Sequence, residues 1–356
     1  MPLVIFWSVW SLTAFVAAAM LSARLIGWAA ARGAVDVPNG RSSHSRPTPR
    51  GGGIAIVAVT AAAGAVACLL HPESIRPVCG VLLPAFAIAA VSWLDDVRSL
   101  PNRIRFAVHL GCAVLAVAVL GPVEGVDLGS FGRLDFGPAA WPLTLLWIVG
   151  LTNAFNFMDG IDGIAGITAA VSAAALATAA AAFQSPAIGG VSAAFALASC
   201  GFLTCNWPPA RIFMGDVGSA FCGFVLAVLP LAFPARAVPA AVAVAAAALW
   251  PFIFDTAYTI VRRLRRRENI FQAHRSHLYQ RLVIAGWSHR AVSMLYGALS
   301  ALAALCAVVP LVVPEWRPVA DIGAVAAIGL GTLLLAAIVI LAEREGPRVG
   351  QASRLP

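Results

Sequence analysis

Two amides and two carboxylates stand three residues apart in the middle of the chain, between long apolar runs. They are Asn153, Asn156, Asp159 and Asp162, and a glycine follows each aspartate. Glycines disfavour a regular helix, so we expect the asparagines to end one helix and the aspartates to lie in a turn before the next. Carboxylates beside a bilayer are costly unless a cation or a water-filled cavity receives them, which makes them candidates for ion or phosphate chemistry. An ordinary Asp-Gly turn is the alternative.

A second acidic cluster, Asp95-Asp96, ends an apolar run. Adjacent residues of a helix point about 100° apart, so the pair is not expected to chelate one ion symmetrically. One carboxylate can face a metal or substrate while the other caps the helix or pairs with Arg98. A helix-end acidic pair with no functional role is the alternative.

A third cluster, Gly215-Asp216-Val217-Gly218-Ser219, is predicted to open a helix. Glycines let a backbone approach a phosphate closely, and a helix N-terminus favours anions. Asp216 could hold a divalent cation that bridges to that phosphate, or it could cap the helix, and both roles can hold together.

Basic groups form two candidate anion-binding loops. His274 and His277 are spaced to share one helical face beside Arg275, and Arg46 and Arg50 precede a run of glycines. Histidine and arginine at a membrane face suit a phosphate group, whereas zinc is disfavoured because no cysteine or third histidine is close.

The composition places these clusters in a membrane protein. The 356 residues are 60% hydrophobic and only 11% charged, with a mean hydropathy of +0.87, whereas soluble domains carry about a quarter charged residues. The apolar runs are about twenty residues long without period-two alternation, which predicts helices. We therefore predict one all-α polytopic domain over residues 1–356, with about eleven transmembrane helices. The seven cysteines are scattered through apolar runs and are interpreted as buried hydrophobes.

The arginines predict the topology. All 24 basic residues are arginine, and one set of alternate loops holds only Arg76, Arg133, Arg236 and Arg317. The opposite set is therefore cytoplasmic, which places the N-terminus in the periplasm and the C-terminus in the cytoplasm. The net charge of +8 is explained by these loops without nucleic-acid binding. Every polar cluster falls in a cytoplasmic loop, over residues 28–52, 95–105, 153–163, 204–219 and 261–290.

Acidic groups for Mg²⁺, basic groups for phosphates and a lipid-facing scaffold together favour phosphoryl transfer. A transporter is one alternative, and it would place acids near the bilayer midplane on broken, repeated helices. A prenyltransferase with Mg²⁺-bound diphosphate is another, but its motif needs a further aspartate nearby, and the next acid after Asp96 is Glu124. Asp255, near the inner end of an apolar run, is expected to pair with Arg262 or Arg263.

In this order, N-x-x-N-x-x-D-G-x-D-G and G-D-x-G-S resemble the motifs of polyprenyl-phosphate N-acetylhexosamine-1-phosphate transferases. That superfamily includes phospho-MurNAc-pentapeptide translocase and the GlcNAc-1-phosphate transferases that start O-antigen and teichoic-acid synthesis. The resemblance covers about Asp36 to Arg281. It implies transfer of a sugar 1-phosphate from a UDP-sugar to undecaprenyl phosphate, with release of UMP, at the cytoplasmic face of a bacterial inner membrane. The implied cofactor is Mg²⁺, with Mn²⁺ as a second option, and a homodimer is left open.

The resemblance also implies roles for individual residues. Asp216 would hold the metal with Asp95, Phe213 would stack on uracil, and the histidines would meet the pyrophosphate. With the basic loops included, the predicted catalytic residues are Asp95, Asp96, Asp159, His274 and His277, and the predicted substrate-binding residues are Asn156, Asp162, Asn206, Phe213, Arg46, Arg50 and Arg275.

Two departures bear on the substrate. The peptidoglycan branch has a contiguous histidine triplet and a lysine after its acidic pair, whereas this chain has His274-Arg-Ser-His277 and Arg98. The differences favour the O-antigen-type branch. The expected sugar is GlcNAc or a 6-deoxy-HexNAc such as FucNAc or QuiNAc.

Overall fold

Apolar helices make up most of the chain in the computed structural model, which describes residues 2–38, 46–98, 100–269 and 274–345. Within those ranges, nine stretches are long and apolar enough to cross a membrane, and two shorter apolar helices accompany them. The prediction of an all-helical, multi-pass membrane protein is confirmed. The helices are α1 (Pro2–Ala31), α2 (Ile54–Leu70), α3 (Ile75–Arg98), α4 (Asn102–Leu120), α5 (Ala140–Met158), α6 (Ile164–Ala182), α7 (Pro186–Asn206), α8 (Asp216–Val228), α9 (Val238–Arg265), α10 (Leu278–Ile284), α11 (His289–Val312) and α12 (Arg317–Glu345).

The two shorter apolar helices are α2, of 17 residues, and α8, of 13 residues. The cluster from Gly215 to Ser219 was predicted to open a helix, and α8 begins at Asp216, which confirms that prediction. Its first turn contains the polar residues Asp216 and Ser219, both with helical backbones. The first turn of α8 is thereby part of the polar end of the bundle.

Small residues allow the central helices to pack closely. The spans of α6, α7 and α9 are the most buried, whereas α1, α4 and α12 leave most of their surface at the outside of the bundle. A Cβ added to Gly201 of α7 would lie 2.5 Å from the carbonyl oxygen of Phe15 in α1. In lipid, where apolar burial gives little drive for association, such close approach supplies much of the attraction between helices.

A β-hairpin closes one end of the bundle, in the connection between α4 and α5. Strands β3 (Gly125–Asp127) and β4 (Arg133–Asp135) pair antiparallel, with Gly125 opposite Asp135. Asp321 of α12 accepts hydrogen bonds from the backbone N–H and the hydroxyl of Ser130, both at 2.7 Å. Strands of three residues are too short to show an alternating pattern in the sequence.

All the polar clusters lie at the opposite end. A two-residue antiparallel pair, β1 (Val35–Asp36) and β2 (Thr48–Pro49), brings the segment after α1 back to the start of α2. The ends of α3, α5, α7 and α9 and the starts of α4, α6, α8 and α11 meet there. The helices thus position the predicted site as a group of helix ends and short connections.

Candidate active site

The acidic pair at the end of α3 directs its two carboxylates to different neighbours. Asp95 Oδ2 lies 2.8 Å from Arg105 Nη1, and Asp95 Oδ1 accepts a hydrogen bond from the backbone N–H of Leu100 at 2.5 Å. Asp96 Oδ2 accepts one from the backbone N–H of Val217 at 3.2 Å. The expected divergence of adjacent helical residues is confirmed, so each carboxylate can serve a separate role.

Arg50 and Arg105 are the cationic partners of this pair. Arg50 Nη1 lies 3.6 Å from Asp96 Oδ1, and Arg50 Nη2 donates to the carbonyl oxygen of Asp96. The predicted pairing with Arg98 is wrong among the described residues. The Asp95 and Asp96 side chains are only 10% and 7% exposed and face the bundle, whereas Arg98 is exposed.

Arg105, in the first turn of α4, joins the carboxylates of two helices. Its Nη1 pairs with Asp95, and its Nη2 lies 3.0 Å from Asp216 Oδ2. Asn156 meets the same groups when its amide is oriented to suit its neighbours. In that orientation its oxygen accepts from Arg105 Nη2 at 2.8 Å, and its nitrogen donates to Asp216 Oδ1 at 3.2 Å and to Ser219 Oγ at 2.5 Å. One arginine and one asparagine therefore connect α3, α4, α5 and α8.

Asp159 occupies the predicted turn beside this network. α5 ends at Met158, and Gly163 has a positive φ of 82° before α6 begins, so the predicted order of helix, turn and helix is confirmed. Burial raises the pKa of the Asp159 carboxyl well above its usual value, and the negative charges of Asp216, Asp162 and Asp96 add to the shift. The turn thus brings a third acidic segment into electrostatic range of the first two.

The donor chemistry of this group fits a hard divalent cation. Three carboxyl groups, those of Asp95, Asp96 and Asp216, pair with two guanidinium groups, those of Arg50 and Arg105, and the Asp159 carboxyl is within electrostatic range of Asp96 and Asp216. Within the described part of the chain, no three His, Cys, Asp or Glu residues form a ready-made metal cage. Mg²⁺ is commonly held by one or two carboxylates together with substrate phosphates, so an open acidic group with spare negative charge suits it.

Backbone hydrogen bonds fix the glycine-rich segment after β2 against the segment before α8. Phe213 donates its N–H to the Pro49 carbonyl at 2.8 Å, and Gly52 donates to the Phe213 carbonyl at 2.9 Å. Gly53 donates to the Met214 carbonyl at 2.9 Å. A Cβ on Gly53 would overlap Gly218 Cα and lie 2.9 Å from the Met214 oxygen. The glycines are therefore required for close contact between two backbones, and this contact places Arg50 beside Asp96.

Changing Gly53 to alanine is expected to destabilise the protein by about 1–3 kcal/mol, because the added methyl group must separate two backbones. Gly53 has a φ of −61° and a ψ of −19°, which alanine adopts freely, so the effect would be steric. The measurement is the midpoint of thermal unfolding in detergent. The matched control is Gly150→Ala, where a Cβ meets nothing within 4 Å. An unchanged midpoint for Gly53→Ala would contradict the close contact.

The histidine loop has a different backbone from the one predicted. His274 and His277 precede α10 instead of sharing a helical face, and His277 is extended at the N-cap of that helix, with a φ of −62° and a ψ of 151°. Their rings nevertheless lie close, with centroids 5.1 Å apart. The spacing rule fails because it assumes a helix, and the helix begins only at Leu278. Burial, with the neighbouring His277 and Arg263, lowers the pKa of His274 to about 4, so His274 is neutral near pH 7.

Asp255 is paired differently from the prediction as well. It bonds His277 Nδ1 at 3.1 Å rather than Arg262 or Arg263. Arg263 instead pairs with Glu268 at 3.1 Å. The prediction is wrong because Asp255 is fully buried and faces the bundle, away from the end of α9 where the arginines cluster.

Tyr279 connects the histidine loop to the acidic turn. Its hydroxyl donates to the Phe157 carbonyl at 3.1 Å, and its ring stacks on His277 with centroids 5.8 Å apart. Gly160 leaves the space that the hydroxyl occupies, since a Cβ there would collide with the Tyr279 oxygen. The predicted phosphate-binding and acidic segments are therefore in direct contact.

Asp162 and Asn206 make bonds that hold the connections together. Asp162 Oδ2 accepts from the backbone N–H of Ala210 at 3.0 Å, and Oδ1 lies 3.3 Å from His289 Nδ1. Asn206 accepts from the backbone N–H of Gly163 and donates to the Ile212 carbonyl, both at 2.9 Å. Their predicted contacts with uridine stay predictions, and the structure adds a role in shaping the site.

The remaining predicted residues lie around this group. Phe213 is half-buried in the segment joined to β2, and Arg46 is exposed just before β2. Arg275 lies between the two histidines, and its buried Nε–H has no hydrogen-bond partner among the described residues. These residues border the acidic group without being part of its ion pairs.

Sequence reasoning missed Arg105, His289 and Tyr279. Arg105 left a usable signal, because an ionisable residue inside an apolar helix is a functional candidate by default. His289 and Tyr279 left no comparable signal, since their contacts join segments more than 100 residues apart, as the separation of 127 between Asp162 and His289 shows.

Comparison with known proteins agrees with this arrangement. Residues 78–233 match the family model described as glycosyl transferase family 4. A relative from Bacillus subtilis, named a probable undecaprenyl-phosphate N-acetylglucosaminyl 1-phosphate transferase, is 32% identical over 265 residues, covering 72% of this chain and 72% of that protein. The chain belongs to glycosyl transferase family 4. The resemblance inferred from the motifs is confirmed.

Two further relatives span the branches of this family. A decaprenyl-phosphate N-acetylglucosaminephosphotransferase from Mycolicibacterium smegmatis is 31% identical over 296 residues, covering 74% of this chain and 72% of that protein. A phospho-N-acetylmuramoyl-pentapeptide-transferase from Heliobacterium modesticaldum is 31% identical over 208 residues, covering 54% and 63%. The chain is thus similar to relatives that carry either name.

Proposed function

We propose that this membrane protein transfers an N-acetylhexosamine 1-phosphate from a UDP-sugar to undecaprenyl phosphate and releases UMP. The observation that carries the proposal is the Arg105 bridge between Asp95 and Asp216, which gathers carboxylates at one end of an apolar bundle. A lipid-borne phosphate can reach a site at the membrane surface, and a water-soluble nucleotide can reach it from the other side. The names of the B. subtilis and M. smegmatis relatives support GlcNAc as the sugar.

In this proposal, Asp216 and Asp95 hold Mg²⁺, which supplies charge neutralisation for the pyrophosphate when it is bound. Arg50, Arg275 and the histidine loop orient the phosphates, and Phe213 stacks on the uracil. The work of these groups is positioning and electrostatic stabilisation, which account for most of the catalysis in phosphoryl transfer.

The proposed chemical step is direct attack. An oxygen of the lipid phosphate forms a bond to the β-phosphorus of the UDP-sugar, and the bond from that phosphorus to the bridging oxygen breaks. UMP leaves with the bridging oxygen, and the product is a lipid-linked sugar diphosphate. A phosphate monoester has its second pKa near ~6 and is largely dianionic at neutral pH, so the attack needs no general base. Asp95 is therefore not required as a general base. Both of its carboxylate oxygens already accept hydrogen bonds, one from Arg105 and one from the backbone N–H of Leu100.

The proposed orientation follows the arginine distribution, with the site at the cytoplasmic face of a bacterial inner membrane. Product formed there would begin a lipid-linked cell-envelope polysaccharide such as O-antigen. Cysteine-accessibility labelling tests this orientation. Single cysteines placed at exposed Arg98 and at exposed Arg133 should react from opposite sides of the membrane.

We expect purified protein in detergent to release UMP from one UDP-HexNAc when undecaprenyl phosphate and Mg²⁺ are both present. The donors to compare are UDP-GlcNAc, UDP-GalNAc and the UDP-linked 6-deoxy sugars. Omission of the lipid and addition of EDTA serve as controls, and each should abolish release. Folded protein that neither releases UMP with any donor nor binds UDP would contradict the proposed reaction.

A further inference from the structure

Asp255 is a fully buried carboxylate inside α9, within an apolar membrane helix. Such a charge is costly in this environment unless several donors satisfy it. It receives hydrogen bonds from side chains and backbone groups on three helices and the histidine loop. The donors are His277 Nδ1 at 3.1 Å, the backbone N–H of Leu278 at 2.8 Å and of Tyr279 at 3.1 Å, the Tyr296 hydroxyl at 2.7 Å and the Thr259 hydroxyl at 3.2 Å.

The two backbone donors identify one part of what Asp255 does. Leu278 and Tyr279 are the first residues of α10, and their N–H groups have no partner within that helix. Asp255 accepts both, so a carboxylate from α9 completes the start of α10. The histidine loop is therefore attached to the rigid bundle at one defined point.

The hydrogen bond to His277 indicates a second role for Asp255. Because Asp255 holds Nδ1, a proton on Nδ1 is favoured and Nε2 is the nitrogen left to meet a substrate. Titratable groups beside the His277 ring come from three segments: Asp255 of α9, 3.1 Å from Nδ1, His274 of the loop, with ring centroids 5.1 Å apart, and Tyr279 of α10, with ring centroids 5.8 Å apart. Of these, Asp255 is the group that accepts a hydrogen bond from the ring, and it also accepts from the hydroxyls of Thr259 and Tyr296.

We propose that Asp255 is a positioning residue for phosphate recognition, which fixes the tautomer and direction of His277. The carboxylate does not touch the substrate itself. This inference rests on the proposed function, since it assigns Asp255 an effect on UMP release that passes through His277. If Asp255 only capped α10, replacing it would instead lower stability, and any effect on catalysis would be independent of His277.

A double-mutant cycle separates these two roles. Asp255→Asn keeps the side-chain size but removes the negative charge that favours a proton on Nδ1 of His277. We expect kcat to fall about 10- to 100-fold with KM for the UDP-sugar within about threefold. Added to His277→Ala, the same change should lower kcat by less than about twofold, because the residue through which it acts is gone.

Tyr296→Phe is the matched control. It removes a donor to Asp255 Oδ2 and leaves the His277 bond at Oδ1 in place. We expect its kcat to stay within about threefold of the wild-type value. If Tyr296→Phe reduced kcat as much as Asp255→Asn, general loosening of the cluster would explain both results, and the proposal would be wrong.

Asp255→Glu covers the case in which the asparagine variant does not fold. Glutamate retains the charge and can still accept the N–H groups of α10, but the extra methylene displaces His277. Its kcat should fall in the wild-type background and not in the His277→Ala background. Wild-type kcat for Asp255→Glu, or losses that multiply in either double variant, would overturn the positioning role. Absence of UMP release from the folded wild-type protein would instead contradict the proposed function.

Discussion

Changing Asp216 to asparagine is expected to lower UMP release about 1000-fold, which corresponds to about 4 kcal/mol of transition-state stabilisation. Asp216 stands at the first residue of α8, where Oδ2 meets Arg105 at 3.0 Å and Oδ1 faces the Asn156 amide at 3.2 Å. Asparagine fits the same space and keeps one acceptor. The loss would therefore report the missing negative charge rather than a change of shape.

A titration with Mg²⁺ tests whether the loss of activity in Asp216→Asn is caused by weaker metal binding. If Asp216 holds the metal, the variant should need a higher Mg²⁺ concentration for half-maximal activity, and the thermal stabilisation that Mg²⁺ gives with UDP should decrease. Asp135→Asn is the control, because Asp135 lies on the hairpin at the other end of the bundle with a side chain 69% exposed. An active Asp216→Asn protein with an unchanged Mg²⁺ requirement would exclude a metal-binding role.

Local signals predicted much of the fold and part of the site. Composition and run length identified the helices, and glycine after Asp159 and Asp162 identified the turn between α5 and α6. Adjacent placement predicted that Asp95 and Asp96 would diverge. Each of these inferences depends on a few neighbouring residues, and the structure agrees with each.

Contacts between distant segments could not be predicted in the same way. Arg98 and Arg105 both follow Asp95 closely in the chain, but which of them pairs with it depends on how each helix is rotated. Asp255 illustrates the same limit. A nearby arginine was the obvious partner in the sequence, whereas four of its five described hydrogen-bond donors belong to residues 22 to 41 positions later. Helix rotation depends on packing with the whole bundle.

Arg105 carries the second large prediction. We expect Arg105→Ala to lower UMP release roughly 100- to 1000-fold, because two carboxylates would lose the cation that holds them 2.8 Å and 3.0 Å from its nitrogens. Arg105→Lys should recover only part of this activity. A lysine ammonium is a single point charge, whereas the guanidinium uses Nη1 for Asp95 and Nη2 for Asp216.

Arg103→Ala provides the matched control, since Arg103 lies two residues earlier on α4 and is exposed. The same net charge is lost, so a general electrostatic effect on an anionic substrate would reduce the activity of both variants alike. A bridging role predicts a large loss for Arg105→Ala, an intermediate value for Arg105→Lys and nearly wild-type release for Arg103→Ala. Full activity in Arg105→Lys would show that charge alone suffices, and the bridge would then not be the feature that organises the site.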